Sequence, residues 1–70
     1  MTDTTMVRGC IRSRGMKLSH VARVLGISSG TLRYKLENES EFKISEVEKL
    51  SKMLGMTPEQ RDRCFFGPAH

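Results

Sequence analysis

Apolar residues along this chain recur every three to four positions, and no stretch alternates long enough to make a strand. Met6, Val7, Cys10 and Ile11 form one stripe, which predicts a first helix ending near Arg14 with Gly15 as its stop. Asp3 or one of the threonines after it supplies the cap, and Gly9 lowers the propensity of the segment. Val21, Ala22 and Leu25 mark the inner face of a second helix from about Leu18 to Leu25, closed by Gly26. Ser28 caps a third helix through about Glu37, with Leu32 and Leu36 buried four residues apart. Asn38 to Lys43 reads as a polar loop anchored by Phe42. Ser45-Glu46-Val47-Glu48 has the pattern of a capping box opening a fourth helix, whose stripe is Val47, Leu50, Ser51 and Leu54 and whose stop is Gly55. Thr57-Pro58-Glu59-Gln60 repeats the box, with proline at the first helical position where its missing amide is no loss, and opens a last helix to about Phe66. There is no Asn-Gly or Asp-Gly hairpin signal, repeat or low-complexity linker, so the expectation is an all-α, five-helix single domain over residues 1–70.

Length and composition narrow the function classes. A chain of 70 residues buries roughly 60% of its unfolded surface, enough for one modest core but not for a deep substrate pocket as well. An enzyme is not expected, and His20, read as an exposed residue of the second helix, has no partner at catalytic spacing. Apolar runs such as Val24-Leu25-Gly26-Ile27 fall far short of the roughly 20 residues that span a bilayer. The first ten residues have an acidic residue, Asp3, where a signal peptide has basic ones and lack an apolar run, which points to the cytoplasm. Cys10 and Cys64 are expected to be reduced thiols, because disulfide-dependent mini-domains usually carry four or more cysteines. Cys10, His20, Cys64 and His70 lack the close pairing of structural zinc ligands, and the five methionines are scattered, so neither metal nor cofactor is expected.

Charge is distributed unevenly. From Thr4 to Leu36 there are seven cations (Arg8, Arg12, Arg14, Lys17, Arg23, Arg33 and Lys35) and no carboxylate, whereas Glu37 to His70 carries five cations and seven acids. One face of the folded chain must then be strongly positive, which suits a polyanion better than it suits mere solubility.

Within that basic half, residues 18–36, LSHVARVLGISSGTLRYKL, have the spacing of a helix-turn-helix. Ala22 is small where the helices cross, Gly26 makes the turn, and Val21, Leu25, Ile27 and Leu32 fill the seam. Ser28 caps the second helix of the pair and presents its positive N-terminal end outward.

At these positions the sequence resembles the lambda-repressor-like family, also called Xre or Cro-like, and within it the small regulators of phages and prophages. The resemblance runs from Gly15-Met16-Lys17 through Leu25-Gly26-Ile27-Ser28, Thr31-Leu32, Lys35-Leu36 and Ser40-Glu41-Phe42. It continues over Leu50-Ser51-Lys52-Met53-Leu54-Gly55-Met56-Thr57-Pro58-Glu59 to Phe65-Phe66. Lys17 replaces the usual serine or threonine cap, Leu18 a common glutamine, Gly30 a polar side chain and Asn38 a frequent glycine. The resemblance implies that the third helix enters the major groove of DNA. It implies base readout by Ser29, Thr31, Arg33 and Tyr34, with Arg33 able to contact guanine in bidentate fashion and the Thr31 methyl able to meet a thymine methyl. Lys17, Ser28, Lys35 and Lys43 are implied to hold phosphates, and Gly30 to let backbone approach the DNA.

The function expected on these grounds is a sequence-specific, double-stranded-DNA-binding transcriptional regulator of Cro or repressor type, acting as a homodimer on a pseudo-palindromic operator. A last helix of about nine residues cannot turn Cys64, Phe65 and Phe66 all inward, so Phe65 is assigned to the core and Phe66 to the dimer interface. The alternative is a protein-interaction module on the same fold, such as an antitoxin-like or anti-repressor subunit. The exclusion of acids from Thr4 to Leu36, which takes in the third helix up to its last turn, argues against it.

Overall fold

The computed structural model describes residues 2–67. Five helices follow in order: α1 (Thr4–Ser13), α2 (Leu18–Leu25), α3 (Ser29–Leu36), α4 (Ile44–Met53) and α5 (Pro58–Phe66), with no strand among the described residues. Asp3 is the cap of α1, its Oδ1 accepting the Met6 amide at 3.1 Å. The reciprocal box opening α5 is formed: Thr57 Oγ1 accepts the Gln60 amide at 3.1 Å and Gln60 Oε1 accepts the Thr57 amide at 2.9 Å.

The start of α4 differs from the expectation. The helix begins at Ile44 rather than after Ser45, Lys43 is the capping position, and the third-residue carboxylate is Glu46 rather than Glu48. Glu46 Oε1 accepts the Lys43 amide at 2.8 Å. The earlier start wins because the same oxygen also meets the ammonium of Lys35, a buried charge that a helix opening at Ser45 would leave unanswered.

The turn between α2 and α3 is made at Gly26, whose φ of 74° lies where a Cβ is unfavourable; the Ile27 amide then donates to the Ala22 carbonyl at 3.0 Å. Asn38 does the same after α3 at φ 60°, and the Glu39 amide reaches the Tyr34 carbonyl at 3.1 Å.

The core takes Val7 and Ile11 from α1, Val21, Ala22 and Leu25 from α2, and Leu32 and Leu36 from α3. Val47 and Leu50 of α4, Leu54 just after it, and Cys64 and Phe65 of α5 complete it. α2 packs against α3 and α4, α1 against α3 and α5, and α4 against α5. Ser51 is buried within α4, and its hydroxyl has no hydrogen-bond partner among the described residues. The chain also joins itself near its ends, where the Asp3 amide donates to the Cys64 carbonyl at 2.7 Å. Both cysteines are free thiols, Cys64 fully buried and Cys10 half-buried. No described helix is long and apolar enough to cross a membrane. No group of three or more His, Cys, Asp or Glu side chains among the described residues is placed to hold a metal; His70 lies outside those residues.

Candidate nucleic-acid interface

α3 divides sharply into two sides. Leu32, Lys35 and Leu36 are buried, while Ser29, Gly30, Thr31, Arg33 and Tyr34 are exposed. The division follows from the helical step of about 100° per residue, which sends positions 30, 33 and 34 away from the Leu32–Leu36 row. All four side chains assigned to base readout thus lie on the solvent side.

The N-terminal end of α3 is held by Ser28, whose Oγ accepts the Thr31 amide at 3.0 Å and donates its own proton to Thr31 Oγ1 at 2.9 Å. These bonds commit the serine hydroxyl to the cap and turn the Thr31 hydroxyl toward it. Gly30 is exposed, and a Cβ added there would meet only Ser28 Oγ, at 3.9 Å. Packing within the chain therefore does not require a glycine at this position.

Lys17 caps α2 in the extended conformation without a side-chain cap bond, and its side chain is exposed. Lys43 is likewise exposed; its backbone amide is taken by Glu46 while its ammonium is not.

Lys35 does not belong with these two. Its side chain is 6% exposed, and its Nζ lies 2.5 Å from Glu46 Oε1, itself 5% exposed. The assignment of Lys35 to phosphate is corrected accordingly, since an ammonium enclosed between α3 and α4 cannot reach a backbone outside. Its position one step before Leu36 turns it inward beside the Leu32–Leu36 row, and Glu46 makes that burial tolerable. Burial pushes the Glu46 carboxyl up, but the hydrogen bonds from Lys35 and the Lys43 amide, together with the charges of both lysines, hold it below the usual carboxylate value. The ammonium also stands 5.8 Å from the Phe42 ring centroid.

Of the seven cations between Thr4 and Leu36, Lys35 alone has a carboxylate partner among the described residues. Arg12, Arg14, Lys17, Arg23 and Arg33 are exposed and Arg8 is half-buried. The other ion pair among the described residues, Arg61 with Asp62, lies at the surface of α5. Unpaired positive charge is thereby left on α1, α2 and α3.

Phe65 enters the core at 5% exposure and Phe66 stays outside at 56%. Ile44, 69% exposed at the start of α4, is an apolar surface residue that sequence patterning passed over because it lies outside the Val47–Leu50–Leu54 stripe. The ion pair of Lys35 with Glu46 was missed as well. Eleven residues separate the two, and no local periodicity links a third helix to a fourth.

A two-helix unit with a left-handed glycine at its turn, a serine-capped second helix and an outward polar face defines the helix-turn-helix class of DNA-binding domain. Residues 7–60 match the Cro/C1-type HTH DNA-binding domain family, and the chain belongs to that family. No match is found among curated proteins or among solved structures. The family match stops short of Phe65 and Phe66.

Proposed function

We propose that this DNA-binding domain is a sequence-specific transcriptional regulator of Cro or repressor type, bound to double-stranded DNA as a homodimer on a pseudo-palindromic operator. The observation that carries the reading is the solvent side of α3, which offers Ser29, Thr31, Arg33 and Tyr34 from helices bearing unpaired cations and no carboxylate. Those four residues read base edges. Lys17 and Lys43 hold phosphates, with Ser28 and the Gly30 backbone beside the DNA strand. In this reading one domain of residues 1–70 works without cofactor, metal or catalysis.

The homodimer reading is supported by the exposed ring of Phe66, which we take as the contact between copies. Light scattering should give a dimer for the native chain and a monomer for Phe66→Asp; an unchanged mass removes this interface.

Selection of bound sites from random duplex, followed by titration of the selected and scrambled sequences across a salt series, tests the function. A single preferred half-site repeated about an axis, with affinity falling steeply as salt rises, is the expected result. Absence of salt-dependent duplex binding would overturn it. The protein-interaction alternative then stands on the exposed apolar residues Ile44 and Phe66.

A further inference from the structure

α3 packs against both α2 and α1, but its own apolar contribution to the core is small. It buries Leu32 and Leu36, one above the other four residues apart, and none of the partly buried apolar residues that flank the core lies on it. α1 has a similar row in Val7 and Ile11, but Met6 and Cys10 brace it from the side. A row of two side chains fixes where a helix lies and leaves its roll about that row weakly determined.

The third buried side chain of α3 is Lys35, to one side of the row. Its Nζ meets Glu46 Oε1 at 2.5 Å, and that oxygen is itself tied to the Lys43 amide at 2.8 Å in the first turn of α4. Phe42 lies on the same junction, 5.8 Å from the ammonium and edge-on to Phe65 of α5. Only a narrow range of roll keeps the ammonium on an oxygen anchored in this way.

Such a pair adds little stability over a well-packed apolar pair, because desolvating two charges offsets their attraction. Geometry is where it acts. Side-chain tips on a helix stand about 5 to 6 Å from its axis, so a roll of about 20° sweeps them through roughly 2 Å, more than a hydrogen bond to a base edge tolerates. Phosphate contacts by exposed lysines, free to change rotamer, absorb such a shift; the enclosed side chain of Lys35, 6% exposed, lacks that freedom.

We propose that Lys35 and Glu46 are positioning residues for sequence readout: their buried pair locks the roll of α3 and so sets discrimination between DNA sequences rather than overall affinity for DNA. The inference rests on the DNA-reading function proposed above.

Two double variants test it. Lys35→Met with Glu46→Leu removes the pair and keeps the volume. Lys35→Met with Glu46→Gln removes the tie to α3 but keeps an acceptor for the Lys43 amide. Thermal melting monitors the fold, and affinities are measured for the site selected by the native chain and for scrambled duplex. Both variants are expected to stay folded and to bind scrambled duplex within about threefold of the native chain. Discrimination should fall at least tenfold in each. Native-like discrimination in a folded variant of either kind overturns the proposal, as does a loss confined to the leucine variant, which would assign the effect to the α4 cap. Equal losses on both duplexes overturn it too. Failure of the native chain itself to prefer any sequence would instead sink the DNA-reading function, so the two failures are told apart.

Discussion

Phe42 and Phe65 meet edge to face, with ring centroids 5.7 Å apart and planes at 81°. The contact pins the loop that leaves α3 onto α5, and it places the Phe42 ring beside the Lys35 ammonium as well. Phe42→Ala should therefore cost about 2 to 4 kcal/mol, the lower part of the range reflecting a ring that is only half-buried. Urea unfolding of the two proteins measures it, and a cost below about 1 kcal/mol would show that the loop holds its place without the ring.

Two exposed glycines sit inside helices, Gly9 in α1 and Gly30 in α3, and neither is crowded: nothing lies within 4 Å of a Cβ at Gly9, and only Ser28 Oγ at 3.9 Å for Gly30. Each substitution to alanine should raise stability by about 0.5 to 1 kcal/mol. Their effects on DNA should part company. Gly9→Ala should bind as the native chain does, whereas Gly30→Ala should bind more weakly because a methyl group now stands where backbone approaches the duplex. Melting curves paired with duplex titrations separate the two, and unchanged binding by Gly30→Ala removes that role.

Charges that position and groups that specify should respond differently to salt. Lys17→Ala and Lys43→Ala should weaken binding to all duplexes and flatten the salt dependence by about two units per dimer. Arg33→Ala should cost roughly 1 to 3 kcal/mol per half-site on the selected sequence and spare scrambled DNA. Equal losses on both duplexes would make Arg33 one more phosphate contact and leave Ser29, Thr31 and Tyr34 as readers.

Stability should fall on both sides of neutrality for separate reasons. Burial, then the nearby Asp3 carboxylate and Cys10, push the Cys64 thiol up from 9.0 to about 11. A raised acid keeps its neutral form in the fold, so its contribution is full below pH 9.0 and is lost as pH climbs toward 11. Glu46 is shifted the other way; its contribution is present above the ordinary carboxylate value and disappears as pH falls through the lower folded value. Denaturation at a series of pH values should show the alkaline decline for the native chain and a flatter alkaline limb for Cys64→Ala, despite that variant's lower stability at pH 7. In the native protein a thiol reagent should modify half-buried Cys10 well before Cys64.

How far the sequence disclosed this molecule differs between backbone and site. The extent of α2, expected at about Leu18 to Leu25, was legible because the Val21–Ala22–Leu25 face and the stop at Gly26 are local signals, although Lys17 supplies no side-chain cap. The start of α4 was not, because two pairs spaced three residues apart compete there, Ser45 with Glu48 and Lys43 with Glu46, and a contact from α3 decides between them. Exposure of Arg33 and Tyr34 followed from helical phase alone. The burial of Lys35 did not, since a lysine at that phase normally extends to solvent unless a distant carboxylate meets it.

The bond between the Asp3 amide and the Cys64 carbonyl has a consequence for how the molecule opens. Fraying at the ends of a chain usually leaves the middle untouched. Here unpairing Asp3 from Cys64 loosens α1 against α5, and α1 also backs α3. The helix in the middle of the chain thus rests on one whose far side is closed by the two ends, so segments far apart in sequence share in backing the exposed face of α3.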